Sequence, residues 1–167
     1  MKPKHLEKIY HPTDTECLEG NIICECGCKS FRIKFFGEEY DKQISIDQIG
    51  EKYAQSVKAN CICCGTEYLL YDFAQHGYDG LICEDGVIVP DENLKLLKID
   101  DDDIFEIQMQ IEVDDEEQFL EEIVNFPPLN NRFTLDDRMN IWSWVVINLN
   151  GVKSGKKYTG WVDVELA

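Results

Sequence analysis

The chain has 167 residues, 44% hydrophobic and 11% aromatic, a composition that excludes a disordered polymer. Its formal charge of −17 opposes binding to a phosphate backbone at long range. No run approaches the roughly 18 apolar residues that a membrane-spanning helix needs.

A chain of this length forms one domain or two small ones and buries roughly 70% of its unfolded surface. Residues 1–90 carry 15 acids and 9 bases, a net −6; residues 91–167 carry 18 and 7, a net −11. Such acidity suits solubility, a cation or a basic protein partner. The opening Met1-Lys2-Pro3-Lys4 is basic, and no apolar signal-peptide core follows it. The expected compartment is therefore the cytoplasm, where thiols stay reduced. Eight cysteines there point to metal before disulfides.

In chain order, residues 1–20 read as a polar lead-in. The first cysteine cluster follows, Cys24-Glu25-Cys26-Gly27-Cys28. Residues 31–35 alternate apolar and basic side chains, the period of a half-buried strand. Residues 38–52, with scattered Ile44, Ile46 and Ile49, read as an irregular excursion. Residues 56–60 alternate again and lead into Cys61-Ile62-Cys63-Cys64-Gly65, and residues 67–73 leave as an aromatic-rich strand. His76-Gly77-Tyr78-Asp79-Gly80 reads as a loop. A soft boundary falls between 85 and 95. It divides the chain into halves 1–90 and 91–167, unless the two form one continuous domain.

In the second half Phe105, Ile107, Met109, Ile111 and Val113 are apolar at every other position, the clearest strand pattern in the chain. Asp114-Asp115-Glu116-Glu117 supplies helix-start chemistry, and Phe119, Leu120, Ile123 and Val124 have helical spacing. Pro127-Pro128 stops that helix. Residues 141–147 are nearly all apolar, as in the middle of a sheet. The connection from Asn150 to Lys157 is too long for a two-residue hairpin, and residues 158–166 return as a strand. The halves share a loose plan: a strand starting Phe-x-Ile, an insertion, then two strands joined by a tip. Two ordinary hairpins account for this more simply than an internal duplication.

Cys61 and Cys64 with Gly65 fit Cys-x-x-Cys-Gly, in which two thiolates converge and the glycine relieves the tight turn. In the first cluster, the residue three before Cys26 is Ile23, so Cys24 is the partner and the knuckle is a contracted Cys-x-Cys-Gly. Together the two knuckles resemble a zinc ribbon over about residues 20–75. The resemblance implies a structural zinc ion held by Cys24, Cys26, Cys61 and Cys64. Cys28 stands as a substitute in the first pair and Cys63 in the second. Iron in a four-thiolate site, a two-metal cluster drawing in all six cysteines, and disulfides are alternatives. Cys17 and Cys83 read as small buried residues. Zinc ribbons serve unrelated functions, so the resemblance points to a site and not a role.

His76 reads as a loop histidine bonded to backbone. His5 and His11 form no ligand pair. Asp100-Asp101-Asp102-Asp103 reads as a solvated turn, since it lacks the glycine and terminal glutamate of a calcium loop. Trp142, Trp144 and Trp161 read as packing residues. Lys153, Lys156 and Lys157 make too small a basic spot to hold nucleic acid. No phosphate loop or nucleophile elbow is present, so no catalytic residue is assigned. The expected fold is α+β: mostly antiparallel sheet, a zinc-ribbon knuckle pair in the N-terminal half and one clear helix in the C-terminal half. The expected function is that of a non-enzymatic protein with a structural zinc site, acting through protein–protein interaction as an accessory or immunity-type protein. A nucleic-acid-binding ribbon and a metal-dependent enzyme are the rivals.

Overall fold

The computed structural model describes residues 7–10 and 15–166. The strands, in chain order, are β1 (Glu7–Tyr10), β2 (Thr15–Asn21), β3 (Phe31–Phe36), β4 (Glu38–Tyr40), β5 (Gln43–Ser45), β6 (Asp47–Ile49), β7 (Lys52–Ala54), β8 (Ser56–Cys61), β9 (Glu67–Asp72), β10 (Lys95–Leu96), β11 (Phe105–Asp114), β12 (Trp144–Gly151) and β13 (Lys157–Glu165). Nine of them form one antiparallel sheet in the order β1-β2-β11-β3-β8-β9, with β10 added on β3 and β12–β13 on β11. Strands from both sides of residues 85–95 enter this sheet. Three short helices, α1 (Phe73–His76), α2 (Tyr78–Leu81) and α3 (Glu116–Phe119), complete the mostly antiparallel α+β architecture.

The alternating row of β11 is buried along its whole length, from Phe105 to Val113. It shares one core with Phe31, Ile33 and Phe35 of β3 and with Val145, Ile147 and Leu149 of β12. Each such side chain contributes about 1.5–3 kcal/mol by leaving water. β12 lies between β11 and β13, as its apolar run predicts. Trp142 and Trp161 are buried, whereas Trp144 is partly open and donates its indole N–H to Asp163 at 2.8 Å.

Several segments differ from their sequence reading. The polar lead-in contains β2, which pairs with β11 from Asn21↔Gln108 to Thr15↔Asp114. Its polarity hides a buried ion pair: Arg138 donates to Glu16 at 2.9 Å and to the Asp114 carbonyl at 3.0 Å. His5 and His11 lie outside the described residues. Residues 38–52 are two small hairpins, β4–β5 and β6–β7, not an irregular excursion. Ile44 and Ala54 are the buried side chains of these four strands, so no apolar alternation marks them. The region around His76 is α1 and α2, two single turns, not an open loop. After α3, capped by Asp115 on the Gln118 N–H at 2.8 Å, the chain widens into a π-turn over Leu120–Val124. Phe119 and Ile123 then face Ile82 and Ile141 in a small second core.

His76 is bonded to backbone, as expected. Its Nδ1 accepts from the Asp72 N–H at 3.0 Å, and its ring stacks on Trp142 with centroids 4.3 Å apart. Burial lowers its pKa from 6.5 to about 4. The unfolded chain therefore binds more protons than the folded one between those values. This residue's contribution to stability falls by about 3 kcal/mol as pH drops through that window. Asp72, pushed up by burial, offsets part of the loss on acidification. An NMR titration of the His76 ring should give a midpoint near 4; a midpoint above about 6 would mean the ring is open to water.

The two halves repeat one geometry. β3, β8 and β9 form one unit, and β11, β12 and β13 another; their first strands meet at the pair Phe31↔Phe105. Phe31 packs edge-on to Tyr68 at 6.3 Å, and Phe105 packs edge-on to Tyr158 at 6.1 Å. In the first tip Cys61 N–H donates to the Thr66 carbonyl (2.9 Å), Gly65 N–H to the Cys61 carbonyl (2.9 Å) and Ile62 N–H to the Ser30 carbonyl (3.2 Å). The second tip has the same three bonds: Gly151 to Lys156 (2.8 Å), Gly155 to Gly151 (2.8 Å) and Val152 to Ile104 (3.0 Å). Gly65 and Gly155 hold φ of 75° and 71°, a region that favours glycine. The strand before each first turn crosses to the other unit. β2 pairs with β11, and Ile22 N–H donates to the Ile107 carbonyl; β10 pairs with β3, and Leu97 N–H donates to the Ile33 carbonyl.

Candidate metal centre

Cys24 and Cys26 come together because the chain between β2 and β3 folds tightly. Gly27 N–H donates to the Cys24 carbonyl at 2.8 Å, and Cys24 N–H to the Cys28 carbonyl at 2.9 Å, with Gly27 at φ 90°. Cys61 ends β8, and its register opposite Phe31 sets the second turn against the first. The sulfurs of Cys24, Cys26, Cys61 and Cys64 then lie within 4.8 Å of one another. Cys24 and Cys64 approach to 3.4 Å, and Cys26 and Cys61 to 3.6 Å. A tetrahedron with metal–sulfur bonds of about 2.3 Å has edges of about 3.8 Å, so these residues fit a tetrahedral ion with small outward shifts. Cys24 and Cys61 are buried and Cys26 and Cys64 exposed, which places the site at the molecular surface with one side covered.

Neighbouring donors orient these sulfurs. The Tyr68 hydroxyl donates to Cys24 Sγ at 3.2 Å while accepting from Glu25 N–H at 3.0 Å. Cys63 N–H donates to Cys61 Sγ at 3.4 Å. Such outer bonds fix the direction of a thiolate lone pair toward an ion. The Tyr68 hydroxyl, helped by the Cys26 N–H, lowers the Cys24 thiol to about 6. For Cys26 the Cys28 N–H favours the thiolate, but burial and the crowding sulfurs outweigh it and push the thiol to about 12. Thiols packed this closely cannot all ionise alone; a divalent cation, if held there, would supply the charge that lets them.

Cys28 and Cys63 stand beside the four. Cys63 Sγ donates to Cys28 Sγ at 2.7 Å, and these two form a second close group with Cys61. That bond pulls the Cys28 thiol down and pushes Cys63 up to about 11. Cys17 is buried and accepts from Gln110 Nε2 at 3.1 Å. Cys83, expected to be buried, is exposed, because α2 ends just before it and the chain turns at the surface. All eight cysteines are free thiols.

The second unit closes the equivalent turns without sulfur. Asp102 is fully buried and is not the solvated residue expected from its acidic run. Its carboxylate accepts from Ser154 N–H at 3.0 Å, from the Ser154 hydroxyl, and from the Tyr158 hydroxyl at 2.7 Å. These bonds, Ser154's foremost, lower its pKa. Tyr158 donates to Asp102, which stands three before Phe105 as Cys28 stands three before Phe31, whereas Tyr68 donates to Cys24; Gly151 stands where Cys61 stands in the first unit. A Cβ on Gly151 would lie 2.1 Å from Asp102 Oδ2, so the carboxylate fills the space that a side chain takes in the metal turn. The tyrosines and the tip glycines, 90 residues apart in each case, are the sequence signal for this equivalence.

Comparison of the chain with known protein families, curated proteins and solved structures returns no match. Among the described residues no helix is long and apolar enough to cross a membrane.

Proposed function

We propose that the protein is a non-enzymatic, zinc-ribbon-like interaction protein of the cytoplasm. In this reading Cys24, Cys26, Cys61 and Cys64 hold one structural zinc ion. The observation that carries it is the convergence of four sulfurs from turns 35–40 residues apart at near-tetrahedral spacing. Four thiolates leave no coordination position for water, so the ion ties turns together instead of activating a nucleophile. The net charge of −17 favours a basic protein partner over nucleic acid. Exposed Glu116, Glu117, Glu121 and Glu122 lie in the same segment as exposed Phe126, the charged and apolar mixture that such a partner would meet.

X-ray absorption at the zinc edge of the purified protein should show four sulfur neighbours near about 2.3 Å. A shell containing oxygen or nitrogen would instead support the metal-dependent enzyme. Duplex DNA and RNA at about 50 mM salt should show no binding by anisotropy; binding that weakens steeply with salt would support the nucleic-acid reading.

A further inference from the structure

Two thiols that the four-sulfur site does not use face each other across the two metal turns. Cys28 lies on the first turn and Cys63 on the second, and their sulfurs are 2.7 Å apart. Two sulfurs in ordinary non-bonded contact sit well beyond that distance, and a disulfide bond measures about 2.05 Å, so closing the gap takes a movement of about 0.7 Å. Cys63 is exposed, and Cys28 is half-buried behind it. The other four sulfurs converge on their own centre, with Cys61 lying between the two groups. The second unit has no counterpart to this pair: its turns carry Asp102 and Lys153 at the matching places.

We infer that Cys28 and Cys63 are a reversible redox site, in which a disulfide forms between the two turns while the metal stays bound. The oxidant is a low-molecular-weight disulfide, RSSR. The exposed Cys63 sulfur attacks one sulfur of RSSR; a Cys63–SR bond forms, the S–S bond breaks, and the thiol proton passes to the departing sulfur, which leaves as RSH. Cys28 then attacks Cys63 Sγ, its proton passing to the second RS⁻ that departs. Two thiols are oxidised, one RSSR is reduced to two RSH, and no bond to the four remaining sulfurs changes. A dithiol reductant reverses both steps. The inference rests on the zinc reading only for the protection of those four sulfurs.

The test uses the full metal-loaded chain. It is incubated with oxidised glutathione, its metal content is measured, and its free thiols and linkages are mapped by mass spectrometry after denaturation in acid. The expected product is lighter by about 2 Da, keeps its metal, carries a Cys28–Cys63 crosslink and returns to the starting mass with dithiothreitol. Cys28→Ser should stop at a glutathione adduct on Cys63. A crosslink to Cys24, Cys26, Cys61 or Cys64, a stable Cys63 adduct in the unmodified chain, or a second metal ion held by Cys28 and Cys63 would each overturn the proposal. If the purified chain carries no metal the zinc reading fails, while the peptide map still reports whether Cys28 and Cys63 join.

Discussion

Cys61→Ser should empty the metal site and lower the melting temperature sharply, while Cys28→Ser and Cys63→Ser keep one ion per chain. Cys61 ends β8, packs in the core beside Phe31 and Tyr68, and sends its sulfur to within 3.6 Å of Cys26. A serine oxygen is a harder, shorter ligand and cannot close the tetrahedron. Metal binding in finger peptides contributes on the order of 10–16 kcal/mol, much of it as folding energy. Removing the ion with a strong chelator should produce the same loss in the unmodified chain. Amide exchange should show the change concentrated in residues 22–31 and 61–66, with residues 99–105 and 151–156 still protected, because the latter turns depend on a carboxylate. Changes at Cys24, Cys26 and Cys64 should follow Cys61. Equal effects at all six clustered cysteines would reject a single four-sulfur ion and favour the two-metal cluster.

The second large effect belongs to the unit without sulfur. Asp102→Asn keeps the shape of the side chain but turns one acceptor into a donor, facing Ser154 N–H, the Ser154 hydroxyl and the Tyr158 hydroxyl. Donors buried without an acceptor lose their water and gain nothing in return. The melting temperature should fall by roughly 10 °C with metal content unchanged. Gly151→Ala should be comparably harmful, since its Cβ would meet the carboxylate at 2.1 Å. The two changes are coupled by one contact. Asp102→Ala therefore removes the obstacle, and Gly151→Ala should cost much less in that background than alone, in a thermal double-mutant cycle. Additive costs would show that Gly151 is needed for its backbone and not for the space it leaves.

Much of the sheet could be read from the residues, because β3 and β11 bury every second side chain and leave those between more open, and β12 is preceded and begun by an apolar run. β11 shows this in its unbroken alternation from Phe105 to Val113. Segments that escape that logic are not legible in the sequence. β2 buries Glu16 against Arg138, 122 residues away, and no local pattern announces such a pair. The hairpins between Glu38 and Ala54 owe their form to turn residues such as Asp41 and Lys42 at positive φ. At the candidate metal centre the two cysteine clusters are visible in the sequence. Their division into four and two depends on how tightly the chain folds around Gly27 and on the Phe31↔Cys61 register. Asp102 was hidden by its three acidic neighbours, among which only a three-dimensional contact distinguishes it.

The exchange of β2 and β10 between the two units bears on how the chain is made. On the ribosome β2 emerges some 90 residues before its neighbour β11, a wait of several seconds at about 5–20 residues per second. Throughout that interval an unpaired strand edge is open to other nascent chains, a known route to aggregation. The ion proposed for Cys24, Cys26, Cys61 and Cys64 would be captured before β11 exists, giving the unfinished first unit an anchor of its own. The second unit finds the strands of the first already made, and its carboxylate clasp needs nothing from the surrounding medium.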